Sequence, residues 1–108
     1  MKPYWQNYID GAWVDGGAGR IDVADPATGE PLASQALADA ADIDRAVHAA
    51  KRVHHAGVLS DLRPGERGRM VQAMGRYLLE NIDDIARTLT LEQGKPLWEA
   101  KIEVEGED

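Results

Sequence analysis

Two patterns of apolar spacing divide the chain. Through residues 7–37 the apolar positions alternate in short runs broken by Gly, Asp and Pro, whereas through residues 39–105 they recur every three or four positions. Alternation predicts strands and the longer period predicts amphipathic helices. Tyr8–Val14 is expected as a strand with Asp10-Gly11 as a turn or bulge inside it, and Arg20–Ala24 as a second, with Ile21 and Val23 on one face. Asp15-Gly16-Gly17-Ala18-Gly19 then reads as the loop of a hairpin joining them. Asp25-Pro26-Ala27-Thr28-Gly29 is a turn with Pro at its second position, and Leu32–Leu37 is a third short strand.

Four helices are expected after Asp39. Asp39 and Asp42 suit a capping box, Ile43, Val47, Ala50 and Val53 form a stripe to be buried, and Gly57 ends the helix. Pro64 occupies a first-turn position, ahead of a stripe of Met70, Val71, Met74, Tyr77 and Leu78. Arg63, before it, is a poor cap compared with Ser or Thr, a loss of about 1 kcal/mol. Gly65, Gly68 and Gly75 each cost up to about 1 kcal/mol in such a helix, so it needs either close packing at those points or support from neighbours. Asn81 closes that helix and caps the next, whose stripe is Ile82, Ile85, Ala86 and Leu89; Gly94 stops it. Pro96 starts the fourth, which carries Leu97, Ile102 and Val104 with Trp98 beside them. Its end, Glu103 to Asp108, is acidic where the helix dipole favours bases, and no proper stop is evident, so a longer protein is expected.

The predicted class is therefore α+β, an N-terminal β-hairpin or small antiparallel sheet followed by about four helices. Residues 1–108 are taken as one partial domain, 7–37 supplying the strands and 39–105 the helices. Composition narrows what the domain can do. Leu, Ile and Val number 22 of 108 residues, Ala numbers 16 and Phe is absent, so the core is small and something further is expected to complete it. The net charge is −7 with no basic stripe, which argues against nucleic acid as a partner. Without Cys there is no disulfide, thiolate metal site or cysteine nucleophile. No apolar run of membrane-spanning length or signal core occurs, and a soluble, cytoplasmic protein is expected.

Several groupings resemble sites and fail on spacing. Gly16-Gly17-Ala18-Gly19 has Asp at position 22 and precedes a strand, so it is not a pyrophosphate loop. His48, His54 and His55 lack the four-residue spacing of helical metal pairs. Tyr4, Trp5, Tyr8 and Trp13 cluster without interleaved basic residues, as hairpin core or interface would. No Ser or Thr has a supporting His and Asp arrangement.

Taken in order, the segments NYIDGAWVDGGAGRIDVADPATGEPLAS, DIDRAVHAAKRV and RPGERGRMVQAMGRYLLENIDDIARTLTLEQGKPLWEA resemble the N-terminal part of the aldehyde dehydrogenase superfamily. The I-x-G-x-W strand, the D-P-A-T-G-E turn, the D-x-D-x-A-V helix, P-x-E-R and L-E-x-G-K-P follow with the family's spacing, from about Tyr8 to Val104. The resemblance implies NAD(P)-dependent oxidation of an aldehyde to an acid or acyl thioester through a cysteine thiolate, with a glutamate activating water and an amide-lined oxyanion site. In the family these residues, and those that hold the cofactor, lie beyond the stretch present here. No catalytic or cofactor-binding residue is therefore assigned, NAD or NADP belongs to the complete family protein, and this chain is expected to bind neither and to be inactive by itself.

The resemblance also implies a structural monovalent cation held by the carbonyls of Val23 and Ala24 and the carboxylate of Glu92, donors that suit a hard cation. The alternative is that Glu92 is an ordinary exposed last-turn residue. Leu59 stands where relatives often carry Trp. Expected partners are the remainder of an aldehyde dehydrogenase chain or a paralogue, with homo-oligomers in the complete form. The rival expectation is a free-standing, non-catalytic interaction module.

Overall fold

The structure, a computed structural model, describes residues 1–106; the expectations that involve Glu107 and Asp108 lie outside the described residues. Its order is β1 (Tyr4–Trp5), β2 (Asn7–Ile9), β3 (Ala12–Val14), β4 (Arg20–Ala24), β5 (Pro31–Ala36), then α1 (Ala40–His55), α2 (Pro64–Glu80), α3 (Ile82–Gln93) and α4 (Leu97–Glu105). Small sheets followed by four helices make this the expected α+β arrangement. Two compact units are present, one of Met1–Val23 with Ala33–Arg63, the other of Ala24–Leu32 with Pro64–Asp108.

In the first unit the hairpin is shorter and earlier than the alternation predicts. β2 and β3 pair antiparallel, Tyr8 opposite Trp13, around Asp10 at φ 51° and Gly11 at φ 81°. Two successive positive φ values make the tight turn whose twist matches a hairpin, and Asp-Gly is suited to it. The Tyr8 and Trp13 rings meet edge to face with centroids 4.9 Å apart. The loop at Gly16–Gly19 therefore does not join the hairpin strands; it leads into β4, which belongs to a second sheet ordered β1-β5-β4. β1 runs parallel to β5, with Tyr4 opposite Ser34 and Trp5 opposite Gln35. That pairing joins residues some 30 positions apart, beyond the reach of local patterning.

α1 begins as predicted. Asp39 accepts from the Asp42 amide and Asp42 accepts from the Asp39 amide, a complete capping box. Gly57, at φ 70°, follows its end. The predicted stripe, however, is exposed: Ile43, Val47, Ala50 and Val53 face outward, Val47 at 57%. The inward residues are Asp42 and Ala49. Helical periodicity identifies an apolar face but not what covers it, and no described residue covers this one enough to bury it.

In the second unit α3 and α4 pack together, and each contains a fully buried alanine, Ala86 and Ala100, 0% exposed. Lys101 Nζ lies 2.7 Å from Asp83 Oδ1, and Lys95 pairs with Glu103, clamping the rim. Ile82, Ile85 and Leu89 are half-buried, as the α3 stripe requires. α2 buries none of its 17 residues, and Met70, Val71, Met74, Tyr77 and Leu78 all stand exposed. A Cβ at Gly68 or Gly75 would meet nothing within 4 Å, so close packing does not account for those glycines. α4 does possess a stop: Gly106 adopts φ 75° and donates its amide to the Ile102 carbonyl. The left-handed residue closes the helix despite its unfavourable terminal charge. Its stripe is split, with Ala100 buried, Ile102 and Val104 half-buried, and Leu97 and Trp98 exposed.

The buried hydrophobic residues among those described are four alanines, Ala36, Ala49, Ala86 and Ala100. Alanine removes little apolar area from water, so each element contributes weakly to burial.

Candidate functional site

Two turns built by different signals meet in the second unit. Asp25 accepts from the Ala27 amide through Oδ1 at 2.8 Å, and its carbonyl accepts from the Gly29 amide at 2.7 Å. Its own amide donates to the Glu30 carbonyl at 2.9 Å, closing the loop between β4 and β5. The second turn ends α3, where Gly94 at φ 75° donates to the Thr90 carbonyl at 2.8 Å. A Cβ built on Gly94 would lie 3.1 Å from Pro26 Cγ, so the two turns approach closely and the proline ring would have to give slightly to admit a side chain.

Two of the three predicted ligands, Ala24 and Glu92, lie in the second unit with this contact. Ala24 ends β4 two residues before Pro26, and Glu92 sits in the last turn of α3 two residues before Gly94. Val23, half-buried, is joined to Ala24 by one peptide bond and belongs to the first unit. Glu92 is exposed, and its carboxylate takes part in none of the ion pairs among the described residues. Among the described residues no three His, Cys, Asp or Glu side chains cluster to hold a metal ion. Any cation here would therefore depend largely on carbonyl oxygens, as side-chain ligands of these types do not gather in threes.

Residue patterning does not single out Thr90. Its hydroxyl is shielded from solvent and has no hydrogen-bond partner among the described residues. It does not join the Glu92 locus, because helix residues two apart point in different directions.

In the first unit the Gly16–Gly19 loop is a structural clamp. Ala18 donates to the Leu37 carbonyl at 3.0 Å, and Leu37 donates back to the Gly19 carbonyl at 2.9 Å. Gly17 donates to Asp42 Oδ2 at 2.7 Å. A Cβ on Gly16 would overlap the Leu37 backbone and one on Gly17 would overlap the Asp39 carboxylate. These glycines permit close backbone approach, as expected of a loop that is not a phosphate cradle. The Gly17 and Asp39 amides, with the Arg45 guanidinium behind them, hold the Asp42 carboxyl below the usual carboxylate range.

Near the N-terminus Tyr4 Oη donates to Asp15 Oδ1 at 2.8 Å and Gln6 Nε2 to the same oxygen at 3.1 Å. The tyrosine hydroxyl lowers the Asp15 pKa, and the carboxylate in turn raises that of Tyr4. Arg20 lies over the Tyr4 ring at 3.6 Å, and Lys2 over Trp5 at 5.2 Å and Trp13 at 5.8 Å. This aromatic cluster is thus occupied by the chain's own cations. His48, His54 and His55 are exposed, and His48 Nδ1 lies 2.6 Å from the Asp44 carbonyl.

With this geometry established, comparison with known proteins identifies the family. The aldehyde dehydrogenase family model matches residues 13–107, and the chain belongs to that family of oxidoreductases. It is 44% identical over 100 residues to a glutarate-semialdehyde dehydrogenase of Pseudomonas aeruginosa, covering 92% of this chain and 20% of that protein. It is 40% identical over 103 residues to a malonate-semialdehyde dehydrogenase of Oceanobacillus iheyensis, covering 94% and 21%. A betaine aldehyde dehydrogenase from Staphylococcus aureus, solved with NAD+, superposes with a TM-score of 0.88 at 30% identity over 93% of this chain and 20% of that one. An NAD-dependent aldehyde dehydrogenase from Sinorhizobium meliloti gives 0.89 at 31% identity, over 97% and 21%. The chain thus spans about one fifth of the length of these relatives. No helix among the described residues is long and apolar enough to cross a membrane.

Proposed function

We propose that this chain supplies the N-terminal portion of a cytoplasmic, NAD(P)-dependent, homo-oligomeric aldehyde dehydrogenase, acting as one partial domain. The complete protein oxidises an aldehyde to an acid or acyl thioester, and the chain is inactive by itself. One observation carries this reading: 93% of the chain superposes on an enzyme bound to NAD+, yet the match occupies 20% of that enzyme. The 108 residues contain no Cys, so the thiolate that the family chemistry requires has to come from elsewhere. An NAD(P)H-forming assay with the purified chain should give no rate above buffer with any aldehyde. Co-expression with a relative lacking its matching segment should restore activity. A rate from the chain alone overturns the assignment of inactivity, and failure of every complementation overturns the assignment of role.

Within that protein a monovalent cation would sit against the Val23 and Ala24 carbonyls and the Glu92 carboxylate. Contact between the turn after Ala24 and the turn after Glu92, together with the lack of an ion pair at Glu92 among the described residues, supports the fit. Its test is a potassium-dependent rise in melting temperature that Glu92→Gln reduces and that choline does not reproduce.

The exposed α2 stripe favours a second reading, a free-standing module that binds a paralogue or another protein. A monodisperse species with one cooperative unfolding transition supports it, whereas a molten or aggregated species supports the partial enzyme.

A further inference from the structure

The first unit contains a cavity of about 520 Å³ between the β2–β3 hairpin and α1 that the aldehyde dehydrogenase reading does not use. Its two walls differ in chemistry. Ile9, Ala12 and Val14 of the hairpin form an apolar floor with the Asp10 carboxylate at its turn end, while Arg45, His48 and Arg52 of α1 form the opposite wall. Positions 45, 48 and 52 are separated by three and four residues, which stacks them along one face of a helix.

Both arginines are anchored without being used up. Arg52 Nη2 lies 2.6 Å from Asp10 Oδ1, and Arg45 pairs through Nη2 with Asp42 Oδ1. A guanidinium carries five N–H donors in a fixed fork, so donors remain on each after one nitrogen meets its aspartate. Both side chains are 61% exposed, which leaves those donors open to a solute. The His48 ring is held by its Nδ1 contact with the Asp44 carbonyl.

We propose that this cleft binds a small carboxylate with a short apolar tail, the carboxylate on Arg45 and Arg52 and the tail on Ile9, Ala12 and Val14. A bidentate acceptor matches the guanidinium fork, and the apolar floor distinguishes such an anion from inorganic phosphate. The inference rests on this unit alone and is independent of catalysis.

Titration of the isotope-labelled chain with butyrate, followed by NMR, tests it, with inorganic phosphate and 1-butanol as comparison solutes. Butyrate should produce saturable amide shifts confined to residues 9–14 and 45–52, while phosphate and butanol should bind at least about tenfold more weakly. Ala12→Glu on the hairpin side and His48→Glu on the helix side each add a negative charge without removing either ion pair. Whichever keeps the parental circular dichroism should weaken butyrate by about tenfold or more. Scattered or unsaturable shifts, equal binding of phosphate, or unchanged affinity in the folded variant overturns the proposal.

Discussion

The backbone amide of Gly17 donates to the carboxylate of Asp42 at 2.7 Å, although 25 residues separate them. Asp42 is 2% exposed and also accepts from the Asp39 amide at 3.0 Å, while pairing with Arg45. One carboxylate thus caps α1, fixes the glycine loop and anchors a guanidinium at the wall of the hairpin cleft.

Asp42→Asn should lower the melting temperature more than Asp44→Asn, which alters an exposed position of the same helix. The pH dependence follows from the depressed pKa of Asp42. A carboxyl whose native pKa lies below its unfolded value adds stability above the unfolded value, roughly 3.9, and loses it as pH falls through the native one. The stability difference between parent and Asp42→Asn should therefore hold near neutrality and shrink below about pH 4. Denaturant melts at several pH values measure it, and a difference that grows on acidification contradicts the assignment. Gly17→Ala should cost about 1–3 kcal/mol, because its Cβ would displace the Asp39 carboxylate from the cap.

Gly68→Ala and Gly75→Ala should each stabilise the chain by about 0.5–1 kcal/mol. Both positions lie inside α2 with open space where a Cβ would stand. Thermal melts of the single and double variants check this. A loss of stability at either position would mean that a neighbour approaches there after all.

Gly94→Ala should destabilise by about 1–2 kcal/mol from the left-handed backbone alone. The contact with Pro26, at 3.1 Å from the new Cβ, adds to that. Pro26→Ala in the same chain should recover part of the added cost, which a double-mutant cycle measures.

Val71→Lys with Tyr77→Lys should leave the melting temperature of the chain nearly unchanged, within about 0.5 kcal/mol at each site. Val71 is 66% exposed and Tyr77 is exposed with it on α2. The same pair should abolish complementation of a relative that lacks this segment, because a charged stripe cannot be buried without partners. Unaltered complementation would remove α2 from the contact surface.

The features legible in the sequence are those decided within about four residues. The Asp39–Asp42 capping box, the glycine ends at Gly57 and Gly94, the first-turn Pro64 and the turn at Pro26 all stand where their residue types place them. Gly106 belongs with them and shows how local chemistry competes: the acidic tail argues against a stop, and the left-handed glycine makes one. The proposed cation ligands Val23, Ala24 and Glu92 come from a family resemblance alone, because backbone carbonyls leave no trace in residue type and a single exposed carboxylate resembles any other. Thr90 left no signal for a different reason, the shielding of its hydroxyl depending on α3 packing rather than on neighbouring letters.

What the sequence determined by itself is therefore local: where helices start and stop, where Asp10-Gly11 turns the chain, and the order of motifs that places it in its family. Tertiary structure alone decided that β1 pairs with β5, that the Gly16–Gly19 loop clamps Asp42, and that α1 presents Asp42 and Ala49 inward while Val47 faces out. The physical reason is range. Caps and turns are hydrogen bonds between near neighbours, whereas pairing and burial depend on which distant surface arrives to exclude water.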